Sequence, residues 1–499
     1  MWKKSSRSIL LLIFIVVICA FFLHFYLVST GYDSEDDVDL EETYCENNTE
    51  SAEFRIENYK TIKIAQYPFE SPSDSMLKHI FSYTWYTNNT EYSFEIDELS
   101  LKELRGKGEN PLNIDNYDLL VVGASFDSCV KDGIDPRLIK NIKNFVSCGG
   151  GYIGVCAGTA FASQGYENPD RLYKKILNEN ILKIADVYIN NEVFNEVNYI
   201  WKLGEYTKNP KQGMIPLNFR INNNTYNPIF DTFEKSKINI TYGGGPGLYP
   251  ANADDSSLRE INPILYIEEE LMDRYSIHKW RPTLSGWEKG ELIKTDVKGQ
   301  IGGIISSYGD GKIVLFTGHP EIPLTINGGV KEYFGKSSGF GIGVKVPRMV
   351  YMYEGEVQNY SSNWWIHRRS AAWVAGVPDE DLPAESVLLC AFNHPKGNMY
   401  SNTLYVYKNN GEKTNKFNKI ILNILEKPII KGEISLELFT ENCEYVEFYV
   451  DGEIQYTDYE YPFSASYEGG LKGVHLLEVK GYAKSGNFAS DSLECFFIE

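Results

Sequence analysis

Residues 117–163 alternate between two periodicities in a way that few folds accept. Tyr117 to Ser125, YDLLVVGAS, is a continuous apolar run bounded by turn residues, which predicts a strand buried on both faces. Asp135 to Gly151, DPRLIKNIKNFVSCGGG, places apolar residues at 3.6-residue spacing and stops at glycines, which predicts a helix. Tyr152 to Ser163, YIGVCAGTAFAS, reads as a strand and then a helix. Strands that alternate with helices need crossover connections, so the fold class is α/β, with a parallel sheet covered by helices on both faces.

The same reading extends outward. Thr61 to Tyr67 is a short β-rich run, followed by helical spacing around Met76 and an alternating strand at EYSFEID. The pattern loosens from about 167 to 300, an insertion, and returns at Gly302 to Ile322 with a hairpin turn at Tyr308–Gly311. SSNWWIHRRSAAWVAG has helical spacing and ends at Gly376 and Pro378; Trp364, Trp365, Arg368 and Arg369 read as helix-to-sheet packing with the arginines exposed. The α/β domain is therefore expected over 59–378. A connecting segment, 379–426, holds a strand-like SVLLCAFN and a helical KFNKIILNILE. Residues 427–499 are short alternating strands with turns at Asp451-Gly452 and Ser485-Gly486-Asn487, a small all-β sandwich whose pattern resembles immunoglobulin-like modules of extracellular proteins.

The amino terminus constrains location. Lys3, Lys4 and Arg7 precede Ile9 to Val28, an apolar run of about 20 residues, enough to span one hydrocarbon core as a helix. No clean small-x-small cleavage site follows, so residues 1–30 are expected to be an uncleaved, single-pass signal anchor. The basic residues stay inside; the acidic tether at 31–58 and the globular domains are then expected outside the cytoplasm, at the cell membrane. N-x-[ST] sequons at Asn47, Asn88, Asn223, Asn239 and Asn359 agree with that placement. A net charge of −20 argues against nucleic acid as a partner. Of the eight cysteines, Cys443 and Cys495 share one short β-rich segment and form the expected disulfide. Cys148 and Cys129 read equally as a disulfide or as buried thiols, no Cys/His spacing matches a metal site, and no cofactor is expected.

Cys156 sits at the strand-to-helix turn, between glycines and Ala157-Gly158. Such a turn presents one side chain at the carboxyl edge of a sheet, and the following helix aims N–H groups at it. A thiol there is a candidate nucleophile, but it needs a base. His319 directly follows the apolar strand KIVLFTG, and Glu321 lies two residues on, able to orient the imidazole. His394, in CAFNHPKG, has Lys396 where the carboxylate would be; the other histidines read as structural. The bland alternative makes Cys156 a buried structural thiol.

GGGYIGVCAG together with a late GHPE resembles the class I glutamine amidotransferase-like superfamily. YGGGPG at Tyr242 to Gly247 and YGDGKIVLFTGHPE are closest to the amidotransferase-like domain at the amino terminus of biotin–protein ligases. The likeness covers about residues 60–378. It implies a flavodoxin-like fold, a Cys156–His319–Glu321 triad, and an oxyanion hole from the Ala157 N–H and the Gly123-Ala124 loop. Ala124 departs from the usual two glycines there. Gly243, Gly244 and Gly245 are either a tight loop or a substrate-lining segment.

No synthetase domain, phosphate loop or biotin-ligase module accompanies these motifs. The expected activity is thiol-dependent hydrolysis of an amide in a small molecule, peptide or cell-surface polymer. The alternative is a non-catalytic surface binding or adhesion protein built on the same fold; a glutaminase subunit would need a cytoplasmic site.

Overall fold

The computed structural model describes residues 56–498 apart from 69–71, 124–134, 171, 191–211, 214, 252–259, 284–285, 294–295, 339–344, 358, 393–406, 409–411, 414–428, 432–433 and 468–470. The expected anchor, most of the tether, and the helix expected at KFNKIILNILE lie outside the described residues, as do Ala124, Cys129 and His394. Among the described residues no helix is long and apolar enough to cross a membrane.

The chain is mixed α/β, with one large mixed sheet and few helices. Strands β1 (Asn58–Gln66), β2 (Tyr83–Thr87), β3 (Thr90–Glu98), β4 (Leu119–Val122) and β5 (Gly151–Val155) come first. Two later strands, β6 (Ile301–Tyr308) and β7 (Gly311–Phe316), form the hairpin anticipated at Tyr308–Gly311. β1 lies between β3 and β4, β4 pairs with β5, and β5 with β7, all in parallel. Beyond β7 the sheet turns antiparallel, running through β6 to Asn262–Ile267, then Ile215–Ile221, then Lys237–Tyr242. The purely parallel sheet expected from the motifs is therefore met only in part. The insertion supplies hairpin-like strands without helical crossovers, and such strands can only add antiparallel.

Side-chain alternation explains how two cores form on one sheet. Leu119, Val121, Ile153, Val155, Val314 and Phe316 face one core, which α1 (Pro72–Phe81) and α4 (Trp364–Val374) help cover. Leu120, Val122, Tyr152, Ile313 and Leu315 face the other, covered by α2 (Pro136–Ser147) and α3 (Ala157–Ala162). α2 begins where Asp135 caps the Arg137 N–H (2.9 Å) and Pro136 fills the first turn; its apolar face is Leu138, Ile142, Phe145 and Val146.

α4 departs from the expectation of exposed arginines. All its residues are buried, with Arg368 and Arg369 each only 1% exposed. Backbone carbonyls replace water: Arg368 donates to Ile80 O (2.8 Å) and Leu388 O (3.1 Å) and stacks over Tyr83. Arg369 donates to Pro383 O (2.9 Å), Pro228 O (2.7 Å) and the Asp231 carboxylate. The two guanidiniums thereby bind the 383–388 segment to the α/β core.

The carboxyl-terminal strands pair mainly antiparallel, with Ile429–Lys431 joining Phe488–Ile498 in parallel. β8 (Leu389–Phe392), β9 (Ile434–Glu441) and Ser464–Tyr467 form one sheet. β10 (Tyr445–Val450), Glu453–Asp458, β11 (Gly473–Tyr482) and β12 (Phe488–Ile498) pair antiparallel as an extension of the large mixed sheet. β8 comes from within the expected connecting segment. β12 pairs with β2 through Tyr83↔Ala489 and Thr84↔Phe488, and the chain from Arg55 onward is one compact unit.

The crossing of α3 over β4 sets the position of the turn at Cys156. A Cβ added to Gly158 would lie 2.0 Å from the Val122 carbonyl oxygen, a backbone atom that cannot swing away. Gly158→Ala should therefore destabilise the fold by about 1–3 kcal/mol or more through overpacking. Thermal unfolding checks this: a clearly lowered Tm is expected, and an unchanged one would contradict the close approach.

Candidate functional site

β5 ends at Val155, paired with Phe316 at the end of β7, so the residues that follow each strand emerge side by side. The Cys156 N–H donates to Phe316 O (2.8 Å). Its backbone then adopts φ 51 and ψ −100, a conformation costly for a residue with a Cβ and held only by surrounding structure. Strain of this kind at a strand-to-helix turn is what a nucleophile elbow stores. Small neighbours make the turn possible: a Cβ on Gly154 would come within 2.8 Å of the Gly158 backbone. Thr159 Oγ1 lies 2.9 Å from Gly154 O and 2.7 Å from Phe316 O, fastening α3 to both strands.

His319 reaches the same rim from β7. Its N–H donates to Thr241 O (2.7 Å), an isolated bridge to the last turn of the strand Lys237–Tyr242. The imidazole Nδ1 lies 2.8 Å from Glu321 Oε1, which leaves Nε2 for Cys156, a group near enough to raise the His319 pKa. Cys156, His319 and Glu321 are 6%, 2% and 2% exposed. The structure thus brings together the three residues singled out in the sequence.

Burial alone would depress the His319 pKa and raise that of Glu321. For His319 the charges of Glu321 and Cys156 reverse the burial effect and lift it to about 10. Burial likewise gives way at Glu321, where the His319 charge and hydrogen bonds from His319 and His367 hold the carboxyl down at about 2. The pair is therefore an imidazolium and a carboxylate at neutral pH.

Sequence reasoning missed His367. It sits on α4, fully buried, with Nε2 3.4 Å from Glu321 Oε2, and the rings of Phe81 and Phe316 stand edge-on to it. Nδ1 has no partner among the described residues, so the proton belongs on Nε2, where it faces the carboxylate. Trp364 Nε1 donates to Glu321 O (3.1 Å), so one helical turn of α4 grips the acid at both main chain and side chain. The only sequence signal was a histidine in a helix that also carries three tryptophans and two arginines.

The remaining expected site residues fall as follows. The Gly158 N–H donates to Gly123 O (3.1 Å), while the Ala157 N–H has no acceptor among the described residues. Gly243, Gly244 and Gly245 are buried. Gly245 makes a close crossing: a Cβ there would lie 1.9 Å from Thr317 O, two residues before His319, and Tyr242 OH donates to Gly245 O (2.6 Å). The Cys443–Cys495 disulfide is not formed, and both thiols are free. Cys443 directs its sulfur at Leu389 O (3.3 Å), whereas Cys495, opposite His475 in the β11–β12 pair, directs its sulfur at Leu493 O (3.6 Å). Membership of one β-rich segment did not specify which way each side chain faces. Among the described residues no cluster of His, Cys, Asp and Glu could hold a metal ion.

Residues 114–333, which contain Cys156, Gly243–Gly245, His319 and Glu321, match the family model of the biotin-protein ligase N-terminal domain, and this part of the chain is a domain of that likeness. No curated protein matches the chain. Among solved structures, cytoplasmic protein STM3548 from Salmonella typhimurium aligns at 10% identity over 51% of this chain and 86% of its own, with a TM-score of 0.28. Cytoplasmic protein STM1381 from Salmonella typhimurium LT2 aligns at 11% identity over 51% and 87%, with a TM-score of 0.25. Fibronectin(III)-like modules of Clostridium thermocellum CbhA align at 16% identity over 22% of this chain and 95% of theirs, with a TM-score of 0.15. Likenesses this slight fix neither fold nor activity.

The charge pair has a pH signature. The raised His319 stabilises the fold fully below its ordinary value of 6.5, and that contribution fades as pH rises toward about 10. The depressed Glu321 contributes fully above 4.5, and its share is lost as pH falls toward about 2. The Tm lost on Glu321→Gln should therefore be largest between pH 4.5 and 6.5 and should shrink steadily toward alkaline pH. A pH-independent difference would contradict the pairing.

Proposed function

We propose that the chain is a thiol-dependent amide hydrolase with Cys156 as nucleophile, His319 as proton carrier and Glu321 as its orienter, on a flavodoxin-like core. The observation that carries this reading is the strained Cys156 elbow beside an imidazole that a buried carboxylate holds at 2.8 Å. The five parallel strands, in the order β3-β1-β4-β5-β7, support the core assignment.

The chemistry follows from the positions. A Cys156 thiolate beside the imidazolium attacks the amide carbonyl carbon, and the resulting oxyanion takes the Ala157 N–H. His319 Nε2–H protonates the departing amine as the carbon–nitrogen bond breaks, leaving a thioester on Cys156. The now neutral His319 draws a proton from water; the hydroxide attacks the thioester, and the acid product leaves as the thiolate re-forms. Glu321, itself held by His367 and Trp364, keeps the ring aimed through both half-reactions.

The amino-terminal apolar run and the exposure of Asn223, Asn239 and Asn359 support a membrane-anchored, extracytoplasmic location. Amides in peptides or cell-surface polymers are then the substrate class within reach.

A non-catalytic binding role is the second reading, favoured by the burial of Cys156 at 6% exposure. One experiment separates the two. The purified chain is incubated with a panel of amides, hydrolysis is measured, and the acyl-enzyme is sought by intact mass. The proposal expects turnover that Cys156→Ala abolishes and that His319→Ala slows about 10²–10⁴-fold. Absence of turnover and of any Cys156 adduct, with ligand retained equally by Cys156→Ala, would overturn it in favour of binding.

A further inference from the structure

Cys390 and Cys443 lie 53 positions apart in sequence (443 − 390) and meet in space. Cys390 belongs to β8, fully buried, opposite Thr440 of β9; Cys443 follows the end of β9 and is half-buried. The Cys443 sulfur hydrogen-bonds Leu389 O (3.3 Å). Both abut one spot on β11. A Cβ placed on Gly481 would lie 2.5 Å from the Cys443 sulfur, 2.6 Å from the Cys390 Cβ and 3.0 Å from the Cys390 sulfur. The missing side chain of Gly481 thus makes the chamber that the two sulfurs share.

We propose that Cys390 and Cys443 are a redox-active dithiol that closes to a disulfide, pinning the first of the carboxyl-terminal strands to the β9–β10 turn. This inference stands apart from the amidase reading and uses none of its residues. The oxidant is another disulfide, of a small thiol or of a protein. Cys443 is the entry point because it alone is reachable from solvent. Its thiolate attacks the external disulfide, expels one thiolate and forms a mixed disulfide. The Cys390 thiolate then attacks the Cys443 sulfur and expels the second thiolate. The two cysteine protons pass to solvent, and the external disulfide is reduced to two thiols as the Cys390–Cys443 bond forms. The neighbouring Cys443 thiol and, after it, burial push the Cys390 thiol up, which is consistent with Cys390 acting second. An oxidising compartment would hold the pair closed.

The test uses the full chain equilibrated with oxidised glutathione or, separately, with dithiothreitol, alkylated, and mapped by mass spectrometry without reduction. The expected result is a cross-linked peptide pair joining Cys390 to Cys443, lighter by two hydrogens than the sum of the free peptides and absent from the reduced sample. In the same digest Cys495 should remain a free, slowly alkylated thiol. Cys390→Ser should abolish the cross-link and leave Cys443 glutathionylated, trapped at the mixed disulfide. Because the wild-type map is itself decisive, a poorly folding variant does not weaken the test. Full alkylation of Cys390 and Cys443 after oxidation, or a cross-link between Cys443 and Cys495, would overturn the proposal.

Discussion

A carboxylate sealed from water must be paired, and Glu321 is paired on both oxygens. One oxygen meets His319 at 2.8 Å and the other His367 at 3.4 Å, with the acid only 2% exposed. An ionised group at that depth is strongly disfavoured without partners, so the three side chains stand or fall together. This network decides the direction of the His319 ring and its protonation, and hence what Cys156 faces. The elbow strain at Cys156 becomes tolerable only because both flanking strands and α3 are anchored around it.

The sheet accounts for how distant segments converge. β5 and β7 are neighbours in parallel register, so their carboxyl ends open onto the same rim. The strand Lys237–Tyr242, at the far end of the antiparallel extension, returns to hold His319 through Thr241. The insertion therefore closes back on the site that it separates in sequence. α4 contributes from the other side, and its buried arginines tie the following segment to the core through carbonyls rather than through surface ion pairs.

Where periodicity carried local information, the chain was readable. The all-buried strand Leu119–Val122 and the amphipathic α2 followed from apolar spacing, and the Cys156 turn followed from its small neighbours. His319 and Glu321 were legible because strand, turn and carboxylate lie within a few consecutive residues. His367 was not, since its meaning depends on a contact with a residue 46 positions earlier. Exposure of Arg368 and Arg369 was misjudged because charged residues are rarely buried unless paired, and here carbonyl oxygens, which leave no trace in composition, do most of the pairing. The cysteine partners were hidden for a similar reason: strand pairing, not proximity in sequence, selects which sulfurs meet. The antiparallel half of the sheet came from an insertion whose pattern lacked a clear period.

The central claim is that a buried carboxylate keeps the imidazole beside Cys156 charged across physiological pH. Nitrogen NMR of the histidine rings, with His319 assigned by substitution, measures this directly. The account predicts that both His319 ring nitrogens stay protonated well above pH 8, with Nδ1–H protected from exchange. Titration of His319 at or below the ordinary histidine value of 6.5 would contradict it.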